Sequence, residues 1–196
     1  DGIHLRIIAR AKDSQSAQKM IVPVEQAIHD RLGEYIWGYD DETPQQAAGK
    51  SLLEKGLSVA VMEMCTGGAL TNSITDGPDS SSYFKGGNVA SDGAALRAFG
   101  VPADVMETHG VVSQQTADAM ADTVRRNLSA DLGVAVTGVP GPGEFEGKPL
   151  GLAYISVTNG EITREMEMRL PPRRVTIKRR VPNQALIELR RLVEEI

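Results

Sequence analysis

The stretch Leu57-Ser58-Val59-Ala60-Val61-Met62-Glu63-Met64-Cys65-Thr66-Gly67-Gly68 decides how this chain folds. Residues 57–62 are apolar or small without a break, the pattern of a strand buried on both faces. Gly67-Gly68 then turns the chain into a helix through Ala69, Leu70 and Ile74. A second segment of this kind runs from Leu132 to Thr137 and ends in Gly138-Val139-Pro140-Gly141-Pro142-Gly143. Buried strands alternating with helices predict an α/β fold: a layered α/β/α domain with a mixed sheet.

The surrounding segments fit that frame. Thr43 caps a helix, Pro44 suits its first turn, and Gln46 closes a capping box. Ala47, Ala48, Leu52 and Leu53 form its buried stripe, and Gly56 ends it. Residues 77–82 read as a turn-rich loop, 86–90 as a short strand and 93–99 as a helix. Ser113 caps a helix that aligns Ala117, Met120, Ala121, Val124 and Leu128 on one face. Residues 152–157 and 162–168 pair as a hairpin around Asn159-Gly160. The last helix carries Leu186, Leu189, Leu192 and Val193, and Pro182 is expected to interrupt the stretch before it.

Upstream, residues 3–10 alternate in polarity as a strand does. Ala17, Met20, Ile21, Val24, Ile28 and Leu32 recur at helical spacing, with Pro23 expected to kink or split the helix and Gly33 to stop it. Tyr35-Ile36-Trp37 reads as a second short strand. This small N-terminal strand-helix-strand piece, residues 1–39, has too little chain for a good core of its own. An acidic linker, residues 40–43, joins it to the larger domain, residues 44–196.

Composition narrows the function classes. The 196 residues carry a net charge of −5, with 41% hydrophobic and 24% charged residues, ordinary for a folded globular chain. No apolar run approaches the ~18 residues of a membrane span, and the first residues lack the apolar core of a signal peptide. The chain opens on Asp1 rather than Met and reads as a fragment or a processed form. Cys65 is the single cysteine, which excludes an intrachain disulfide and a multi-cysteine zinc site. His4, His29 and His109 are scattered, so no metal centre is expected, and no cofactor. These features predict a reducing, cytoplasmic setting. The acidic balance and the 4% aromatic content argue against nucleic acid as a partner.

Both glycine-rich turns follow the carboxyl ends of buried strands, where α/β sheets commonly bind ligands. Gly67 and Gly68 there suit backbone N–H donation to an anion at a helix start. They suit equally a tight connection with no ligand, and the residues alone leave both readings open.

The motifs around these turns, taken in order, resemble one family. Glu63-Met64-Cys65-Thr66-Gly67-Gly68 resembles E-S-C-T-G-G, and Ser80-Ser81-Ser82-Tyr83-Phe84-Lys85-Gly86-Gly87 the loop after it. Trp37 to Thr43, His109-Gly110-Val111-Val112-Ser113, Thr137 to Pro142 and Lys148-Pro149-Leu150-Gly151 complete the set. The chain resembles the competence/damage-inducible CinA family, whose C-terminal domain is a nicotinamide-nucleotide amidase, preceded here by the end of the KH-like middle module. The resemblance implies hydrolysis of the carboxamide of nicotinamide mononucleotide, releasing ammonia. A serine attacks, and a lysine with a nearby tyrosine handles the proton. It also implies a homo-oligomer, most simply a dimer.

The sequence departs from that pattern at every catalytic point. Met64 stands where the family has its serine. The family's Y-S-N-E-A-K stretch corresponds to Ala90-Ser91-Asp92-Gly93-Ala94-Ala95-Leu96, with a one-residue deletion. The tyrosine and lysine positions are then Ala90 and Ala95, or Ser91 and Leu96, and both groups are lost either way. The expected site is therefore a substrate pocket without catalysis, built from Cys65, Thr66, Gly67, Gly68, Thr137 and Gly138. Arg173 adds charge as the nearest match to the arginine of the family's G-D-R. Ser91 with Asp92 reads as loop capping, His109 as structural, and Lys148 as a solvated charge. The expected function is an inactive amidase relative that keeps a nucleotide-binding or scaffold role. The alternatives are an active amidase that uses Cys65 and a nucleic-acid-binding module.

Overall fold

The computed structural model describes residues 2–77 and 79–196. The chain divides into two units between Glu42 and Thr43. The first is built on α1 (Ser14–Leu32), whose Asp13 cap accepts the Ser16 N–H at 2.7 Å. Helix α1 runs through Pro23 without a break, against the expected kink or split. Proline forfeits one N–H and crowds one carbonyl, whereas about two and a half turns of ladder close on either side. A 3-10 turn follows at Gly33–Tyr35. Residues 3–10 and 35–37 form no strand, so this piece is a helix whose flanks have no regular strand structure. Alternating polarity makes a segment able to pair, but a strand also needs a hydrogen-bonding neighbour. Neither segment is paired into a ladder among the described residues of the unit.

The second unit opens with α2 (Pro44–Lys55). The Thr43 N–H donates to Gln46 Oε1 at 3.0 Å, and the Gln46 N–H donates to Thr43 Oγ1 at 3.3 Å. Gly56 ends the helix in the left-handed conformation at φ 65°. Then come β1 (Val59–Glu63), α3 (Ala69–Thr75), α4 (Ser80–Tyr83) and β2 (Phe84–Val89). They are followed by α5 (Gly93–Ala98), α6 (Ala103–His109), α7 (Gln114–Asn127) and β3 (Leu132–Gly138). The hairpin β4 (Leu152–Thr158) and β5 (Thr163–Arg169) leads to α8 (Arg174–Glu195).

The five strands form one sheet in the order β2-β1-β3-β4-β5. β2, β1 and β3 run parallel, while β4 and β5 pair antiparallel beside them. The sheet is therefore mixed, as expected. The two-residue period of a strand sorts the side chains to two faces. Val59, Val61, Val134 and Val136 pack with α2 and α8 through Leu52, Ile177, Leu186 and Leu189. Ala60, Met62 and Ala135 pack on the other face with Met120, Ala121 and Val124 of α7. Two helical layers thus cover the central strands on both sides.

Two short helices, α4 and α6, arise where sequence periodicity signals none, because each has too few turns to display a repeat. Helix α8 is unbroken at Pro182. Its buried face, from Ile177 and Val181 through Ala185, Leu189 and Val193, anchors both halves to the sheet. Burying such side chains, at about 1.5–3 kcal/mol each, outweighs the roughly 3 kcal/mol cost of an interior proline.

Helix α7 approaches β3 most closely at Gly133. A Cβ there would stand 2.0 Å from the Ala121 carbonyl oxygen and 2.8 Å from Arg125 Cβ. Backbone cannot yield as a flexible side chain does, so α7 would have to lift. Gly133→Ala should therefore destabilise the fold by at least about 1–3 kcal/mol, the range for overpacking. Urea unfolding of wild type and variant checks this, and an unchanged midpoint would contradict the close approach.

Candidate functional site

Strand β1 delivers Val59 and Val61 to one core and, by the same alternation, Glu63 to that same side. Glu63 is fully buried. Its Oε2 accepts from Thr66 Oγ1 at 2.6 Å, the Gly68 N–H at 3.1 Å and the Leu70 N–H at 3.0 Å. Its Oε1 accepts from the Thr71 N–H at 2.7 Å and Thr71 Oγ1 at 2.5 Å. A helix start carries unpaired N–H groups and a partial positive charge. Here a carboxylate from the preceding strand satisfies both. The sequence signal for it is a lone charge in register with the buried residues of an apolar strand.

Beyond the carboxyl ends of β1 and β3 lies a cavity of about 570 Å³. Met64, Val89 and Ala90 supply apolar wall, residues 138–145 a loop wall, and Arg174 and Lys178 the cationic side. The size lies within the range of small-molecule sites. Arg174 donates to the Gly141 carbonyl at 3.4 Å. Lys178 Nζ lies 3.5 Å from where a Cβ on Gly67 would stand. Neither cation has an ion-pair partner among the described residues.

Of the residues expected from sequence, Met64, Cys65, Gly67, Ala90, Ser91, Ala95 and Gly138 line this cavity. Thr66, Gly68, Thr137, Leu96 and Arg173 do not. Thr66 and the Gly68 N–H are committed to Glu63. Thr137 turns away: its hydroxyl donates to the Val111 carbonyl at 3.0 Å and lies 3.5 Å from Met64 Sδ. Leu96 is buried in the core beneath α5. Arg173 is the residue before α8, in extended backbone, so its side chain leaves the helical face. Arg174 and Lys178, four residues apart on that face, stand at the cavity instead.

Asp92 caps α5, accepting the Ala95 N–H at 2.8 Å, and Ser91 Oγ donates to Asp92 at 3.3 Å. Lys148 is not a solvated charge. Its Nζ donates to the His109 carbonyl at 3.1 Å and to the Val112 carbonyl, and it lies 3.7 Å from Glu146 Oε2. Burial pushes the Cys65 thiol up to about 12. No helix among the described residues is long and apolar enough to cross a membrane.

A mixed sheet between helical layers defines a layered α/β domain, and its cavity lies at the carboxyl ends of the parallel strands, where such sheets commonly take ligands. The chain belongs to the CinA family. Residues 41–193 match the CinA C-terminal domain and residues 1–38 match the damage-inducible protein CinA KH domain. A competence-damage inducible protein of Desulforudis audaxviator is 40% identical over 186 residues, 94% of this chain and 45% of that protein. A CinA-like protein of Acaryochloris marina is 39% identical over 191 residues, 95% of this chain and 46% of that protein. The chain spans about half the length of the curated relatives it matches. The crystal structure of competence/damage inducible protein CihA from Agrobacterium tumefaciens superposes with a TM-score of 0.70 at 28% identity, covering 80% of this chain and 99% of that one. A CinA superfamily protein from Klebsiella pneumoniae, at 21% identity, shares the fold with a TM-score of 0.74 over 79% of this chain and 100% of that one.

Two outcomes test the local chemistry. Glu63→Gln keeps the shape but turns an NH₂ toward N–H or hydroxyl donors, and should cost about 2–4 kcal/mol, since bonds to a charged group are worth about 1.5–3 kcal/mol each. Denaturant unfolding reads it, and a loss below measurement error would refute the capping role. Cys65 should resist iodoacetamide at pH 8 in the native state and react once the chain unfolds. Its thiol ionises near 8.5 in an unfolded chain and near 12 when folded. Its burial therefore stabilises fully below the lower value and loses that contribution as pH rises between the two.

Proposed function

We propose that this chain is an amidase relative that binds a phosphorylated, nucleotide-sized ligand of the pyridine-nucleotide kind without hydrolysing a carboxamide. The observation that carries the reading is Met64 in the cavity wall, at the position where the family motif has its serine. A thioether has no proton to lose and cannot attack an amide carbon. The geometry supports the alignment that matches tyrosine and lysine with Ala90 and Ala95, because both line the cavity. The other alignment pairs Ser91 with Leu96, which is fully buried. Under that alignment the cavity has alanine at both of those positions and no side chain there to take the proton.

Cys65 does not rescue the chemistry. Its side chain belongs to the core on the α8 side of the sheet, and the raised thiol leaves no thiolate at neutral pH. What survives is the cationic pair Arg174 and Lys178, suited to a phosphate. A homodimer in the cytoplasm completes the reading, consistent with the family resemblance.

Nicotinamide mononucleotide incubated with the protein should release no ammonia, where working enzymes turn over at roughly 1 per second or more. Met64→Ser should bind the nucleotide more tightly by calorimetry, as the bulky side chain recedes, yet stay inactive for want of a base. Wild-type turnover that Cys65→Ala abolishes would overturn the reading in favour of a cysteine amidase. Equal affinity in wild type and Met64→Ser would show that Met64 lies outside the ligand's footprint.

A further inference from the structure

The cavity has an aromatic wall residue that the family motif does not account for. Phe145 is 42% exposed, belongs to neither core, and lines the cavity. The other aromatic residues of this unit are buried or half-buried: Tyr83 and Phe84 at the α8-side core, Phe99 at the α7-side core, and Tyr154 on the sheet. A singly exposed apolar side chain is ordinary on a protein surface; Phe145 differs in standing in the wall of a cavity that also holds Arg174 and Lys178.

The ring is not on a loose loop. Phe145 and Lys148 exchange backbone hydrogen bonds at 3.1 and 2.9 Å across a two-residue turn. Both central residues, Glu146 and Gly147, have positive φ, at 52° and 69°. That is the pattern of a tight hairpin turn, which asparagine or glycine usually fills. Glutamate in this conformation is strained, and its carboxylate supplies the compensation. Glu146 Oε1 accepts the Val111 N–H at 3.1 Å and Oε2 the Val112 N–H at 3.2 Å. Lys148 adds bonds to the His109 and Val112 carbonyls. The turn is thereby clasped to the 109–112 segment, and the residue it presents at the cavity is Phe145.

We propose that Phe145 is the ring-recognising residue of this cavity, and that Glu146 and Lys148 are positioning residues that hold it there. The inference rests on the reading of the cavity as a ligand site and deepens it. Arg174 and Lys178 take an anionic group, and the phenyl face takes a planar ring by stacking. A sugar phosphate without a ring uses only the first of these.

Calorimetry with nicotinamide mononucleotide and with ribose 5-phosphate separates the two parts. The wild type should prefer the nucleotide. Phe145→Ala should weaken nucleotide binding about tenfold, in the range of ring-on-aromatic stacking, and leave ribose 5-phosphate unchanged. Phe145→Trp should keep the preference. Glu146→Ala should lose it as Phe145→Ala does, with ribose 5-phosphate affinity reporting an intact cavity. Equal affinity of the wild type for the two probes, or an unaltered preference in Phe145→Ala, overturns this inference and leaves the ligand-site reading standing. Parallel loss of both probes in Phe145→Ala also overturns it, since the residue then supports the cavity in general. Binding of neither probe by the wild type overturns the ligand-site reading itself, and this inference with it.

Discussion

The buried carboxylate of Glu63 links an inner strand of the sheet, β1, to the helix that starts the site. It leaves β1 on the side of α3 and takes five donors from Thr66, Gly68, Leu70 and Thr71. A bare carboxylate in this interior would cost several kcal/mol. The helix start opposite it, with its N–H groups unpaired, would also be costly. Each group removes the other's penalty, so the turn from residue 64 to 68 has little freedom. That turn is what sets Met64 and Gly67 at the cavity wall. It also means that the Gly68, Leu70 and Thr71 N–H groups at this helix start are spent within the protein. An anion must look elsewhere for charge, and α8 is where the charge stands.

The position of α8 follows from packing rather than polarity. Ile177 and Val181 are fully buried, one helical turn apart, and fix the rotation of the first turns on the sheet. Once those two face inward, Arg174 and Lys178 share a neighbouring stripe at the cavity edge. Pro182 sits within this packed region without breaking the helix, because the burial on both sides holds the axis. The charge pair is thus a by-product of core geometry, and moving the helix by one residue would remove it.

That dependence explains which parts were legible in the sequence. Residues 57–62, 132–137 and the hairpin around Asn159-Gly160 declare themselves, because burial on two faces and a tight turn each demand a distinctive local composition. The Thr43 and Ser113 caps are legible for the same reason: one side chain performs a local bond. The helix phase at 173–174 is not local. A run of two arginines reads alike in either register, and only the burial of Ile177 selects Arg174. Lys148 reads as a surface charge because its acceptors, the carbonyls of His109 and Val112, lie nearly forty residues away in sequence. Residues 3–10 show the opposite failure. Their alternation is real, but strand formation depends on a neighbour that a local pattern cannot supply.

The glycine-proline loop after β3 carries the same lesson into the site. In the family motif it is the glycines of residues 138–143 that draw attention, yet the residue with exposed chemistry comes after them. Gly138 is demanded by packing: a Cβ there would stand 2.7 Å from the Leu152 carbonyl oxygen, within the sheet. Gly143 has open space around it and is demanded by nothing of the kind. The first glycine therefore belongs to the fold, and the loop gains freedom only beyond it. The Glu146 carboxylate and the Lys148 amine remove that freedom again within five residues. A loop released by small residues and then tied down by a charged clasp ends in one defined position. Such restraint has little value for a surface connection. It has value where an adjacent side chain must meet something, and Phe145 is the side chain that this arrangement holds out.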